Sequence, residues 1–168
     1  MQLVKGHTIV ADEYARVADD APLPEGAILV SGARLLAEGD AILGRGGKAG
    51  VIWPNARPVA ELAPWLDRLA MVALVFPTFR DGRAYSQARL LRERHRFGGE
   101  LRATGQVLRD QFVFMLRSGF DAFEVVKDSD AAAFAEVARR YSVVYQPTGD
   151  RRATAHDHRR TQHAEPAR

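Results

Sequence analysis

The segment MVALVF, residues 71–76, decides the fold class of this chain. It is the most apolar of the short runs that have strand length, and such a run predicts a strand buried on both faces. It leads into PTFRDGRAYSQAR, residues 77–89, which contains a turn at Asp81-Gly82 followed by a helical pattern. A buried strand followed directly by a helix is one βα unit, the building block of a parallel sheet.

The same alternation of strands and helices continues on both sides of this unit. Further strands are predicted at residues 27–31, 50–53, 100–104, 122–126 and 142–146. Helices are predicted at residues 32–43, 58–69, 83–97, 106–118 and from 128 onward. We therefore predict an α/β fold of parallel βα repeats, arranged either as a half-barrel-like array or as an open doubly wound sheet.

The chain divides into three parts by composition. Residues 1–24 are expected to form a small N-terminal β ribbon, with a hairpin around Gly6, and a linker. Residues 25–147 form the predicted α/β domain. Residues 148–168 contain five arginines, three histidines and almost no large apolar side chains. Such a segment buries too little surface to offset its ordering entropy, so we expect a disordered basic tail.

Composition excludes several kinds of chemistry. The sequence has no cysteine, which rules out disulfides, cysteine-ligated metals and thiol nucleophiles. A redox role would therefore need a bound cofactor such as a flavin or nicotinamide, although no motif indicates one. The glycine-rich GRGGKAG, residues 44–50, precedes a strand instead of following one, which favours a plain turn over a phosphate loop.

Charge and hydropathy restrict the partners. The net charge is +3 and owes much to the tail, so the folded part is close to neutral and nucleic acid is not expected as a partner. The longest apolar runs, such as residues 69–76, are far shorter than the roughly 18 residues that a membrane helix needs. The N-terminus lacks the apolar stretch of a secretory signal. We expect a cytoplasmic protein without a membrane segment.

The loop after residues 71–76 contains the strongest candidate site, because ligands of parallel α/β folds bind at the carboxyl ends of the strands. An aspartate and a glycine there are typical of a helix start, and the side chains that follow can donate hydrogen bonds near its positive end, which suits a small anion. The alternative is a solvated helix start with ordinary surface arginines. The candidate anion-binding residues in this loop are Asp81, Gly82, Arg83, Ser86 and Gln87.

The next loop, after residues 100–104, adds Gly105 and Arg109 to the candidate anion-binding set. Both loops follow adjacent parallel strands, so we expect them to face each other on one rim. The residues predicted to support these loops structurally are Arg89, Asp110 and Gln111. Arg89 is expected to reach Asp110. The alternative is an ion pair between Arg109 and Asp110. The helix at residues 107–116 is apolar nearly all round, which predicts burial on more than one side or cover by a partner.

Residues 71–126 resemble a bacterial domain-of-unknown-function family whose members are commonly described as oxidoreductases of sulfite reduction. The matching positions are Phe76, Phe79, Asp81-Gly82-Arg83, Ser86-Gln87-Ala88-Arg89, Gly99-Glu100-Leu101-Arg102, Gly105, Arg109-Asp110-Gln111 and Gly119-Phe120-Asp121. The resemblance implies an accessory protein or oxidoreductase of assimilatory sulfite reduction, binding an anionic ligand or cofactor at the strand ends. The alternative that it implies is a non-catalytic interaction or assembly protein that docks on sulfite reductase.

Overall fold

The computed structural model of this chain describes residues 2–6, 8–140, 143–148 and 153–164. Its centre is an eight-stranded sheet. In chain order the strands are β1 (Gln2–Lys5), β2 (Thr8–Val10), β3 (Ala15–Arg16), β4 (Ile28–Ser31), β5 (Ala49–Trp53), β6 (Met71–Phe76), β7 (Glu100–Gly105) and β8 (Ala122–Val125).

The strand order identifies the sheet as half-barrel-like. Strands β3 to β8 lie side by side in chain order, and each neighbouring pair is parallel. A doubly wound sheet needs a point where the strand order reverses, and β3 to β8 have none. The predicted parallel βα fold is therefore confirmed, and the half-barrel-like alternative is the correct one.

The N-terminal ribbon extends this sheet instead of standing apart from it. Strands β1 and β2 form the predicted antiparallel hairpin around Gly6, and β1 also pairs antiparallel with β8. This pairing occupies the sheet edge that a further parallel strand would need. The strand predicted at residues 142–146 is accordingly absent from the described residues 143–146, where Val144 makes an isolated bridge with Thr154.

Within the described ranges, five α-helices connect or follow the strands. They are α1 (Gly32–Leu43), α2 (Arg83–Arg89), α3 (Phe112–Arg117), α4 (Asp128–Arg140) and α5 (Ala155–Ala164). Helix α1 begins as the sequence suggests, because Ser31 Oγ accepts a hydrogen bond from the Arg34 N–H. No helix in the described residues is long and apolar enough to span a membrane.

Three of the predicted helices differ from the observed ones. Residues 58–69 form a 3₁₀ turn at Val59–Leu62 and further turns, because Pro64 lacks the N–H that a continuing helix would need. Helix α2 continues as a π-helix at Leu90–Arg94. The helix predicted at residues 106–118 begins with a 3₁₀ turn at Arg109–Gln111, and α3 follows this turn.

The large core lies between the sheet and its helices. Alternate residues of the strands, such as Val72, Leu74 and Phe76 in β6, pack in one cluster with residues of α1 to α4. Met71 and Ala73, whose side chains point to the other face of β6, belong to a smaller cluster with Tyr14. The helices therefore cover one face of the sheet, and the opposite, inner face is covered partly by the segment that contains Tyr14.

Residues 11–14, which we call the strap, show how strongly the sheet is curled. They join β2 and β3, which are the two edge strands of the sheet, seven strand intervals apart. A flat sheet of this size would separate its edges by about 34 Å, whereas the chain from Val10 to Ala15 spans at most about 18 Å. Arg16 of β3 also contacts Glu124 of β8 at 2.6 Å. The sheet must therefore curl into an open half-barrel.

The C-terminal segment contains a helix where the sequence predicts disorder from residue 148. Thr154 and Asp157 form reciprocal hydrogen bonds at the start of α5: the Thr154 hydroxyl and N–H donate to Asp157, and the Asp157 N–H donates to Thr154 Oγ1. This is a capping box, which satisfies backbone N–H groups at the first turn of a helix.

Candidate functional site

The two predicted loops lie together at the carboxyl ends of β6 and β7, as expected. Phe76 pairs with Gly105 at the ends of these strands, and the Gln106 N–H donates to the Phe76 carbonyl at 2.8 Å. The loops are joined further out through the backbone of Phe79. Gln106 Oε1 accepts from the Phe79 N–H at 2.7 Å, and Gln111 Nε2 donates to the Phe79 carbonyl at 2.9 Å.

Gly105 is required by the backbone at this junction. Its φ is +88°, and a Cβ there would lie 2.5 Å from the carbonyl oxygen of Phe76. An L-residue is strained at this φ and would also collide with the neighbouring strand. The turn that brings Gln106 under Phe79 therefore depends on this glycine.

Arg83, predicted to contact an anion, is bound to Asp81 instead. Its Nε and Nη2 donate to the two carboxylate oxygens of Asp81 at 2.9 and 2.6 Å. The hydrogen bond from Arg83, with a smaller contribution from the nearby Asn55 amide, holds the pKa of Asp81 well below its ordinary value. Asp81 also accepts from the Arg83 N–H at 3.3 Å. The guanidinium charge is thus already compensated in this loop.

The other candidates in the first loop face β5. Gln87 is 6% exposed, and its Nε2 donates to the carbonyls of Pro54 and Arg57 beyond the end of β5. Ser86 is exposed beside it. The predicted anion-binding set therefore divides: Gln87 and Ser86 lie on the β5 side of α2, while Gly105 and Arg109 lie at the end of β7.

Two of the predicted supporting contacts are wrong. Arg89 pairs with Glu93, one helical turn away, instead of with Asp110. Arg109 and Asp110 are both exposed and form no ion pair with each other or with another described residue, because water already solvates both charges.

Burial raises the pKa of Tyr85 to about 12, and the charge of Asp110 adds to this effect.

One exposed aromatic side chain lies in the rim, and another lies in α3. Phe79 is 46% exposed, and the Arg80 guanidinium lies 5.4 Å from the centre of its ring. In α3, Phe112 and Met115 are fully buried, whereas Phe114 is 65% exposed. The apolar helix predicted at residues 107–116 is therefore buried on one side, with Phe114 left at the surface.

A cluster of charged side chains on the inner face was not predicted from the sequence. Arg102 of β7 is fully buried and binds Asp12 of the strap at 2.6 and 3.0 Å. It also binds Glu100 at 2.8 Å and Glu124 at 3.3 Å. Glu124, 3% exposed, accepts further hydrogen bonds from Arg16 and from the Thr104 hydroxyl.

The electrostatics of this inner-face cluster indicate a structural role. Burial acts to lower the pKa of Arg102, but the hydrogen bonds to Asp12 and Glu100 outweigh it and raise the pKa above its ordinary value. Burial likewise acts to raise the pKa of Asp12, and the bond to Arg102 lowers it overall. Both groups stay charged and paired, so the cluster joins the strap to the middle of the sheet. No group of three metal-ligating side chains occurs in the described residues.

Comparison with known proteins agrees with the sequence resemblance at the level of the family. The sequence profile of DUF934, described as a bacterial protein of unknown function, matches residues 50–156, which is more than half of the chain. This range includes β5 to β8 and both loops of the rim. A search of curated proteins finds no match. The chain belongs to the bacterial family of unknown function DUF934.

Proposed function

We propose that this protein is an accessory protein of assimilatory sulfite reduction that docks on sulfite reductase through the Phe79 rim, meaning residues 77–82 and 105–111. The pathway and the partner come from the family resemblance of residues 71–126. The choice of a docking role over a catalytic one comes from the geometry of the rim.

The observation that carries the proposal is the way in which Phe79 is held. Its ring is half exposed, yet both its backbone N–H and its carbonyl are bound by side chains of the neighbouring loop. A backbone fixed in this way holds the position from which the ring projects, so the loop loses less conformational entropy on binding, which is the advantage of a preorganised contact. Aromatic side chains and arginines contribute most of the binding energy of protein interfaces, and Arg80 lies against the Phe79 ring.

The catalytic alternative receives less support from the same loops. Arg83 would need to release Asp81 before it could bind sulfite, sulfate or phosphate with its full charge. Arg109 is exposed at the surface, where an isolated arginine binds a small anion weakly. An oxidoreductase role would further need a bound redox cofactor such as a flavin, nicotinamide or haem, because the chain has no cysteine, and the rim residues carry no motif for one.

Replacement of Phe79 by alanine tests the docking role. We expect the F79A variant to bind the sulfite reductase of the same bacterium at least tenfold more weakly than the unaltered protein, because truncation of an interface anchor costs about 2 kcal/mol. Its thermal midpoint should stay within a few degrees, because the ring is half exposed. Biolayer interferometry on immobilised sulfite reductase would measure the affinity.

The matched control is Y145A, since Tyr145 is also an exposed aromatic residue, at 80%, but lies outside the rim. Its affinity should equal that of the unaltered protein. An unaltered protein that does not bind sulfite reductase, or equal losses in F79A and Y145A, would contradict the proposal.

A further inference from the structure

A cleft of about 310 Å³ lies on the other side of α2 from the Phe79 rim. One wall is the chain after β5, and the other is α2 with the π-helix that follows it. Apolar side chains, among them Pro58, Val59 and Leu90, form most of its surface. The volume is at the lower end of the range for ligand pockets, so the cleft suits a small molecule better than a dinucleotide.

Two buried amide side chains border this cleft with unused hydrogen-bonding groups. Asn55 and Gln87 are 7% and 6% exposed. The Oε1 of Gln87 has no hydrogen-bond partner among the described residues. The Nδ2 of Asn55 makes no hydrogen bond of normal geometry there, although it lies near enough to the Asp81 carboxylate to help lower the pKa of that group. Buried polar groups are normally paired, and an unpaired one costs about 1–3 kcal/mol. A ligand that offers a carbonyl to Asn55 and an N–H to Gln87 would remove both costs.

Cationic side chains lie around the same cleft. Arg57, Arg83 and Arg94 line it together with His95. Arg57 and Arg83 are paired with Glu61 and Asp81, while Arg94 is exposed and has no ion-pair partner in the described residues. An arginine with its charge uncompensated beside an apolar cleft favours a ligand that carries a phosphate.

The helix wall has an unusual backbone where it meets the cleft. Residues Leu90–Arg94 form a π-helix directly after α2. Leu91 in this segment is fully buried in the core, whereas Leu90 and Arg94 line the cleft. π-helical turns are rare and occur frequently at functional sites. This turn places an apolar side chain and a cation together at one ligand-sized opening.

We propose that this cleft binds a mononucleotide whose base or ring bears an adjacent carbonyl and N–H. The ring lies against Pro58, Val59 and Leu90, the carbonyl accepts from Asn55, the N–H donates to Gln87, and the phosphate pairs with Arg94. Uridine, flavin and nicotinamide mononucleotides share this chemistry. Phe79 does not line this cleft, and nucleotide binding does not depend on the docking role, although Arg83 of the cleft is paired with Asp81 of the Phe79 rim.

Titration calorimetry of the full chain with uridine, flavin and nicotinamide mononucleotides tests the proposal and identifies the ring. We expect at least one of them to bind, and uridine or inorganic phosphate alone to bind at least tenfold more weakly than the mononucleotide. If the uridine nucleotide is the ligand, its N3-methyl derivative, which lacks the N–H, should also lose at least tenfold in affinity.

Two substitutions locate the binding. S86F places a large ring in the cleft from an exposed position and should weaken binding at least tenfold. R94A removes an exposed cation and should weaken binding about two- to fivefold, the range for an exposed ion pair. Thermal melts should stay unchanged in both variants. R68A, which changes an exposed arginine away from the cleft, should have no effect. Absence of binding by all three mononucleotides at millimolar concentration, phosphate binding equal to nucleotide binding, or unchanged affinity in both S86F and R94A would overturn the proposal.

Discussion

Replacement of Arg102 by alanine is expected to lower the free energy of unfolding by about 3–5 kcal/mol, the cost of removing one partner from a buried ion cluster. Arg102 is fully buried and binds three carboxylates. Without it, Asp12 loses both of its bonds to the sheet, and Glu124 is left buried with less positive charge around it. Urea unfolding followed by circular dichroism would measure the change.

R68A is the matched control for this prediction. Arg68 also pairs with a carboxylate, that of Asp40 at 2.5 Å, but the Asp40 side chain is 88% exposed. Exposed ion pairs contribute about 0–1 kcal/mol, because water solvates both charges when the pair is broken. Equal losses of stability in R102A and R68A would show that the inner-face cluster does not hold the strap.

Replacement of Gly105 by alanine is expected to lower the free energy of unfolding by about 2–3 kcal/mol. Two effects add: the alanine must adopt a φ of +88°, and its Cβ would lie 2.5 Å from the Phe76 carbonyl oxygen. The turn should shift away from β6 and carry Gln106 with it. Thermal and urea unfolding would give the stability, and the affinity for sulfite reductase would report the displacement of Phe79.

Gly46 separates the two effects. Its φ is +78°, and an added Cβ would meet no atom within 4 Å. G46A therefore has the backbone strain without the collision, and should lose about 1–2 kcal/mol. If G105A is no less stable than G46A, the contact with β6 does not restrict position 105, and the conformation of the rim does not depend on the glycine.

The parallel fold could be predicted because its signals are local. Buried strands such as Met71–Phe76 are continuous apolar runs, and each is followed by a turn and a helical pattern, so strand positions and the shared rim follow from periodicity alone. The choice of the half-barrel could not be predicted. It depends on the spatial order of the strands and on the pairing of β1 with β8, which connects distant parts of the chain.

The candidate site was predicted in position but only partly in its contacts. The loops after β6 and β7 lie together, yet the sequence did not indicate that Gln106 and Gln111 bind the backbone of Phe79, because either glutamine could equally face solvent. The inner-face cluster did leave a signal. In ELRAT, residues 100–104, charged and polar residues alternate with apolar ones. In a strand covered by helices on one face, this alternation indicates a second, polar face that something else must cover.

The pairing of β1 with β8 has a consequence for how the chain folds as it is synthesised. Leu3 pairs with Glu124, so residues about 120 positions apart must meet before the sheet is complete. The β1–β2 hairpin is synthesised before its partner strand β8, which is among the last parts of the sheet to be made. Until then the edge of β1 is unpaired, and contacts at such long sequence separation form slowly. Folding of the half-barrel therefore finishes only after Val125 has emerged, and the strap reaches its place over Arg102 late in the process.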